Sequence, residues 1–471
     1  MKILFVVIDY LTTPLSVLYL SSIAKKKGLD VDVDSIHLPS FMENFRNYKP
    51  DIVAYSLITG AHKPFLEINK KLKKEMEFKA LFGGPHCTFY PEVIKEDGVD
   101  GICRGEGEEA FIDYLGAIKD GKNLYDIPNW WFKNNGEIIE NPLRPVNENL
   151  DSIPFPDRDL FLKFKGLRNE KTAFVITSRG CPYNCSYCFN HAFREIYQNK
   201  GKTVRFRSVD NVIEEINEIK EKLPVEMIIF QDDTFNLNKE WLKEFSEKYK
   251  DKVDIPYHCH LRANLVTEDI AKNLKDSGCI SVKMAIETAD DELRNDVLKR
   301  GITKKHIVNA CNIIKKNGIH FLTQNILAIP GGSLEKDFKT VKLNMEIKPD
   351  YLFATLMQVY PKTQICEYAK KIGVYDGETS ALPASFFHKS VLKIKDREKI
   401  ERLRMLFPLI VEFPFLYPLA KILIKIPLDP LYTLADKLWK GYCIKHRIYP
   451  YKLTLKEYFN SLKIYFKANY Y

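Results

Sequence analysis

Residues 173–188 read AFVITSRGCPYNCSYC. Ala173–Ser178 is a short, mostly apolar run of strand type. The loop after it carries three cysteines, Cys181, Cys185 and Cys188, spaced C-x3-C-x2-C. Three thiols that close can turn around one soft metal centre, and thiolates suit iron–sulfur clusters or zinc. Zinc wants a fourth ligand. His191 would supply one, but structural zinc generally uses two separated pairs, and no second C-x-x-C occurs. A fully ligated iron–sulfur cluster wants four cysteines, whereas three fit a cubane with one iron open for chemistry. Buried, unpaired cysteines are the remaining reading, common in cores but rarely as triplets.

Outward from this loop, strand and helix alternate. AFVITS, VEMIIF, PYHCHL, ISVKMAIE, HFLTQNILAI and YLFATLMQVY read as strands between about Thr172 and Val374. Helical patterns separate them. One puts Val209, Val212, Ile213, Ile216 and Ile219 on one face behind Ser208 as N-cap. Six such repeats predict a partial (β/α)6 TIM-type barrel. Upstream, KILFVV, VDVDSI, DIVAYSL, KALFGG and DGICRGEG alternate with helical stretches such as Leu15–Lys27 and Pro64–Met76. That predicts an α/β domain with a Rossmann-like, flavodoxin-type parallel sheet. A hairpin is expected around WWFKNNGEII, and SIPFPDRDL reads as an extended linker because proline restricts itself and the residue before it. The expected divisions are 1–125, 126–165 (hairpin and linker), 166–375 (barrel) and 376–471 (a helical, basic and aromatic C-terminal cap).

The chain has 471 residues, 45% hydrophobic and 28% charged, a globular composition large enough for two or three domains. Ten cysteines are too few for a disulfide scaffold. The opening MKILFVVIDY lacks a signal peptide's long apolar stretch and cleavage site, so a cytoplasmic protein is expected. The formal charge of +9 comes from 71 Lys+Arg against 62 Asp+Glu. Residues 381–471 hold 17 basic and 7 acidic side chains, which leaves 54 and 55 in the first 380. The excess is a basic appendage on a near-neutral body, not the mark of a nucleic-acid binder, and no nucleic-acid partner is expected. Met405–Ile426 is apolar enough to resemble a membrane span, but Glu412, Lys421, Lys425 and prolines 408, 414 and 418 fit kinked helices packed on the barrel better. With 17 aromatics after Ala381, the appendage is expected either to cap the barrel mouth or to offer an apolar substrate pocket or a peripheral contact with anionic membrane.

The cysteine loop after the first barrel strand, with Tyr187 before the last cysteine, resembles the radical S-adenosylmethionine (SAM) superfamily. That resemblance implies a [4Fe-4S] cluster on Cys181, Cys185 and Cys188, SAM chelated at the open iron, and an external one-electron reductant. Later motifs agree. Phe230-Gln231-Asp232-Asp233-Thr234-Phe235 resembles an F-x-D-D-x-F stretch whose polar groups reach the methionine moiety, although a helix N-cap explains either aspartate as well. Ala285-Ile286-Glu287-Thr288 resembles G-[IV]-E-[ST], whose Glu takes hydrogen bonds from the ribose. Arg262 matches a basic residue of the third strand. Leu327–Gly332 resembles the G-x-P-G-E segment bordering adenine, with Ala328 in place of the first Gly. Gln324 and Pro330 complete the implied SAM contacts. Tyr360-Pro361-Lys362-Thr363 stands where P-x-P-G-T is frequent.

In the first domain a ligand is expected at the carboxyl ends of the strands, where Gly83, Gly84, Gly105 and Gly107 allow close backbone approach. Gly105-x-Gly107-x-x-Ala110 matches a dinucleotide fingerprint only formally, since it follows the fifth strand and not the first. GGPHCTFYPE and RGEGEE ahead of such a barrel resemble the cobalamin-binding domain of class B radical SAM enzymes. The implied cobalamin contacts are Thr13, Ser56, Thr59, Gly83, Gly84, Pro85, His86, Thr88, Arg104, Gly105, Glu106, Gly107 and Glu108. The D-x-H-x-x-G element that gives cobalt a lower histidine is absent, and His86 is read as a hydrogen-bonding residue. The two signatures together imply methyl transfer to an unactivated carbon through a 5′-deoxyadenosyl radical and methylcobalamin. Radical cyclisation, rearrangement or oxidation is the alternative, and a zinc-stabilised binding module is a third reading.

Overall fold

A computed structural model describes residues 1–8, 14–164, 171–378, 381–383, 385, 387 and 389–448. They divide into two compact units: one made of 1–170 with 193–205, the other of 171–192 with 206–471.

The first unit is built on strands β1 (Lys2–Val7), β2 (Asp30–Ser35), β3 (Ile52–Ser56), β4 (Lys79–Gly83), β5 (Gly101–Cys103), β6 (Trp130–Asn134) and β7 (Glu137–Glu140). Their order in the sheet is β2-β1-β3-β4-β5-β6-β7. β1 to β5 are parallel, the flavodoxin-type order. Both faces are covered, so β1 is nearly all apolar, and its alternate residues feed two cores: Ile3, Phe5 and Val7 one, Leu4 and Val6 the other. The expected hairpin, β6–β7, is not a linker element. It extends this sheet antiparallel to β5, because Trp130 and Phe132 point inward and stack beside Tyr114. In the linker, Asp157 is held by Ser21 at 2.5 Å and Lys25 at 2.7 Å.

The second unit carries β8 (Thr172–Val175), the two-residue β9 (Ser178–Arg179), β11 (Met227–Phe230), β12 (Tyr257–Leu261), β13 (Cys279–Glu287), β14 (His320–Leu327) and β15 (Tyr351–Leu356); the two-residue β10 (Arg205–Phe206) lies where the chain passes between the units. Six of these form one parallel sheet, β15-β14-β13-β12-β11-β8, a half-barrel with helices on its outer face. The helix Val209–Lys222 buries the anticipated apolar stripe, and the Ser208 side chain caps it by accepting from the Asn211 N–H.

Three C-terminal helices follow, Arg397–Glu412, Leu416–Leu423 and Asp429–Cys443. Ile400, Leu403, Phe407 and Ile410 pack on Leu352, Ala354 and Leu356 of β15 and on Phe338 and Val341, covering the open edge of the half-barrel. The end of the third helix and the segment after it close the opposite end from the cysteine loop. There Cys443 and Ile448 pack on Leu322 and Tyr351, and the Ile448 carbonyl accepts from Ser281 Oγ at 2.9 Å. Among the described residues no helix is long and apolar enough to cross a membrane.

Candidate active site

The cysteine loop is fixed at its middle. The Ser186 N–H donates to the Leu298 carbonyl at 3.0 Å, Ser186 Oγ to the Val297 carbonyl at 2.7 Å, and the Ser186 carbonyl accepts from the Ile365 N–H at 2.9 Å. Cys185 is buried, while Cys181 and Cys188 are half-exposed. Arg262 and Arg300 each bring a guanidinium nitrogen to 3.9 Å from Cys185 Sγ. Cys188 Sγ accepts from the Asn190 N–H at 3.5 Å, and Cys181 Sγ lies 3.6 Å from Thr234 Oγ1. All ten cysteines are free thiols, and among the described residues no three His, Cys, Asp or Glu side chains are set to hold a single metal ion. His191, the fourth ligand a zinc site would call on, is buried with neither ring nitrogen hydrogen-bonded. Three soft donors on one anchored loop, faced by two cations, fit an iron–sulfur cluster.

Beside the thiols sits a buried network. The Tyr187 hydroxyl donates to Glu287 Oε1 at 2.6 Å and accepts from Arg300 at 2.9 Å, and Arg300 also donates to the Ala285 carbonyl at 2.5 Å. The other Glu287 oxygen, Oε2, is buried without a partner. A buried carboxylate oxygen with unmet acceptor capacity is costly unless something donates to it, which fits the hydroxyl groups of a ribose. Burial pushes the Glu287 carboxyl up, opposed by Arg300, Tyr187 and Lys283. Burial alone would lower the Arg300 guanidinium, but Tyr187, Glu287 and Cys185 outweigh it and hold it above its ordinary value. Glu287 adopts φ 66° at a register shift between β13 and β14. The bulge re-aims its side chain, and a left-handed glutamate is the kind of strain that persists where the surroundings over-determine it.

Arg262 stacks on Tyr183 of the cysteine loop, 3.4 Å from the ring centre, and donates to the Arg300 carbonyl. Asp232 is placed differently from an N-cap. It is buried and accepts from the Thr177 N–H at 3.1 Å, Thr177 Oγ1 at 2.8 Å and Ser178 Oγ at 2.5 Å, clamping the chain just before the cysteine loop. Burial raises its carboxyl to about 6 against those bonds. Asp233 accepts from the Asn190 side chain, and burial pushes its carboxyl up. Gln324, half-buried, lies beside Ala285 in register, and Pro330 is buried past the end of β14. Ala328 and Lys362, which stand where glycines are frequent, take φ 59° and 66°. Both loops keep the left-handed backbone that glycine favours.

Three residues outside the sequence-derived set belong here. Arg300 links Tyr187, Cys185 and Ala285; nothing in its spacing marks it. Tyr183 receives the Arg262 guanidinium. Lys283 shares the Glu287 face of β13, and burial lowers it to about 8. A lysine inside the apolar run ISVKMAIE was the one available signal for it.

In the first unit the residues at the ends of β3, β4 and β5 come together. Gly84 has φ 91°, and a Cβ there would sit 2.7 Å from the Leu57 carbonyl. Gly105 has φ 72° and is covered by Tyr197. Both glycines are required by the unit's own packing, so close approach of a ligand is not needed to explain them. Gly83 and Gly107 have ordinary room for a side chain. Thr88 ties the loops, its hydroxyl donating to the Gly84 carbonyl at 3.0 Å and accepting from the Gly105 N–H at 2.9 Å. His86, at the start of the helix Pro85–Phe89, is 1% exposed, lies 3.0 Å from Thr59 Oγ1 and stacks on His62 and Tyr90. Burial, helped by His62, lowers its imidazole to about 3, so it is neutral. Ser56 lies 3.3 Å from Ser16, Arg104 stacks on Trp131, and Glu106 forms a two-point ion pair with Arg205 at 2.6 and 2.9 Å. Glu108 opens the helix Glu108–Asp120. Thr13 lies outside the described residues.

The chain matches the Radical SAM superfamily over residues 175–343 and the B12 binding domain over residues 1–115. It is 32% identical over 366 residues to the uncharacterized methyltransferase PH0819 of Pyrococcus horikoshii, covering 76% of this chain and 78% of the relative. It is a B12-binding radical SAM enzyme. Membership assigns this radical SAM enzyme a [4Fe-4S] cluster, SAM and cobalamin. A further relative, the anaerobic magnesium-protoporphyrin IX monomethyl ester cyclase of Rubrivivax gelatinosus, is 26% identical over 387 residues, 78% of this chain and 68% of the cyclase. In fold, the chain resembles the radical SAM methyltransferase TsrM from Kitasatospora setae, solved with cobalamin and a [4Fe-4S] cluster, with a TM-score of 0.66 at 16% identity over 79% of this chain and 75% of TsrM.

Proposed function

We propose that this enzyme transfers a methyl group from SAM to an unactivated carbon of an apolar substrate, with electrons from an external one-electron reductant. The observation that carries the reading is the presence, in one chain, of a B12 binding domain ahead of a radical SAM half-barrel with the cysteine triplet at its first strand. The name of the PH0819 relative supports methyl transfer; that of the cyclase relative supports ring formation, at lower identity.

When bound, the cluster and cobalamin would supply reductive SAM cleavage and methyl carriage. The chain's own residues do the rest. Cys181, Cys185 and Cys188 hold the cluster, and Ser186 and Asp232 keep their loop in place. Arg262 and Arg300 put positive charge beside the sulfur ligands. Glu287, oriented by Tyr187 and Arg300, accepts from the SAM ribose through Oε2. Fixing the ribose fixes where the nucleoside's reactive carbon points, the positional control on which such chemistry depends.

The test is anaerobic incubation of the reconstituted enzyme with reductant and SAM carrying a deuterated methyl group, in a cell extract of the source organism. A metabolite heavier by the labelled methyl supports the reading. SAM cleavage with no labelled metabolite under any substrate supply favours the cyclase-type alternative.

A further inference from the structure

Ten of the thirteen exposed large hydrophobic side chains among the described residues lie between Phe413 and Tyr442. They are not scattered. On the helix Asp429–Cys443, Leu431, Leu434 and Leu438 recur at helical spacing and are 57%, 46% and 55% exposed, while Tyr432 and Cys443 are buried against the rest of the unit. Along Leu416–Leu423 and its flanks the pattern repeats. Phe415, Leu419 and Ile422 are 71%, 47% and 59% exposed, and Ala420 and Ile424 are buried. Both helices are therefore apolar on two faces. The inner face packs on the Arg397–Glu412 helix beside β15. The outer one meets water, and exposed apolar side chains repeated along two helices mark an interaction site.

The charge beside this face is mainly basic; of the cations, Lys440 is buried and Arg447 pairs with Glu412 at 2.8 Å. Residues 413–448 hold six basic and two acidic side chains. Both acids are occupied: Asp429 with Arg402 at 3.2 Å and Asp436 with Arg404 at 2.8 Å. Lys421 and Lys425 are exposed alongside the outer leucines and isoleucines. Apolar side chains flanked by exposed lysines, on short helices broken at prolines, match an anionic bilayer surface. The apolar row enters the headgroup–acyl boundary and the lysines meet the phosphates. A span is not required, and no described helix has the length for one.

We propose that the helix pair Leu416–Leu423 and Asp429–Cys443 is a monotopic docking face for anionic membrane. This goes beyond the methyl-transfer reading and does not depend on it. The barrel flank that carries the face would rest on the bilayer, and substrates held in or on that bilayer would reach the enzyme by diffusion in two dimensions.

The test is co-sedimentation of full-length holoenzyme with phosphatidylcholine vesicles, with and without phosphatidylserine. Pelleting with the anionic vesicles at low salt, weakened at high salt, is expected. In the variant Ile422→Glu/Leu431→Glu/Leu438→Glu the partition coefficient should fall at least ~10-fold, because three apolar insertions become charged. Ile372→Glu, at an exposed apolar site elsewhere, should leave it unchanged. Circular dichroism and SAM cleavage confirm that each variant is folded, and Leu431→Ser/Leu438→Ser replaces the triple variant if it is not. Holoenzyme that stays in solution with anionic vesicles at low salt overturns the proposal, as does a triple variant that pellets like the parent. Light scattering that shows a dimer, separated by the same substitutions, would assign the face to a second copy and overturn it equally.

Discussion

Glu287 concentrates what is unusual at the residue scale. A buried glutamate in a left-handed conformation, with one oxygen held by Tyr187 and the other free, is arranged to receive a donor. Removing the Tyr187 hydroxyl frees the carboxylate to rotate. Tyr187→Phe should weaken SAM binding about tenfold, the value of one hydrogen bond to a charged group, measured by equilibrium dialysis against labelled SAM. The left-handed residues at glycine positions give an independent check. Lys362 is exposed at φ 66°, so Lys362→Gly should raise unfolding stability by about 1 kcal/mol, read from the urea midpoint. The triplet Cys181, Cys185 and Cys188 stands out in the sequence because thiolate chemistry fixes type and spacing; Glu287 was marked only through its resemblance to the G-[IV]-E-[ST] strand. Arg300 was not. It reaches Tyr187 and Cys185 from a loop far along the chain, and an arginine in KRGIT has no local pattern to betray it.

At the scale of elements, two carboxylates hold strand ends. Asp232 ties Thr177 and Ser178 to the end of β11, just ahead of the cysteine loop. Asp232→Ala leaves three donors unpaired and should cost about 3 kcal/mol of stability while lowering the iron content per chain, measured by urea unfolding and metal analysis. The sequence marked Asp232 for the methionine moiety or a helix cap, since a carboxylate after a strand does not show which way it turns. Asp337 is buried below the Ala328 N–H, and desolvation raises its carboxyl from 3.8 to about 8. Its folded value lies above its unfolded one, so its contribution is fully present below pH 3.8 and lost as pH rises through 8. Asp337→Asn removes that loss. Its stability relative to the parent should grow between those limits and exceed it by at least ~1 kcal/mol on the alkaline side, followed by urea unfolding across the range. The parallel strands were readable because burial on both faces demands continuous apolar runs. The β6–β7 hairpin was found but misplaced, because its alternation shows a buried face and not which sheet buries it.

On the scale of the whole molecule, the chain joins a unit of the B12-binding type to a radical SAM half-barrel, and both were visible in the order of strands and motifs. The C-terminal third element was only half legible. Its charge and apolar content could be counted, but not that its helices would cover the β15 edge while Cys443 and Ile448 close the end remote from the cysteines. Helix faces are assigned by tertiary partners, and here two helices have apolar residues on both. The claim that ties the units to one reaction is methyl transfer drawing on both cofactors, and its most direct measure is product stoichiometry during anaerobic turnover. Methyl transfer predicts S-adenosylhomocysteine and 5′-deoxyadenosine formed in equal amounts with the methylated product, and neither 5′-deoxyadenosine nor methylated product when Cys185 is replaced by serine. Sustained 5′-deoxyadenosine formation without S-adenosylhomocysteine would contradict it.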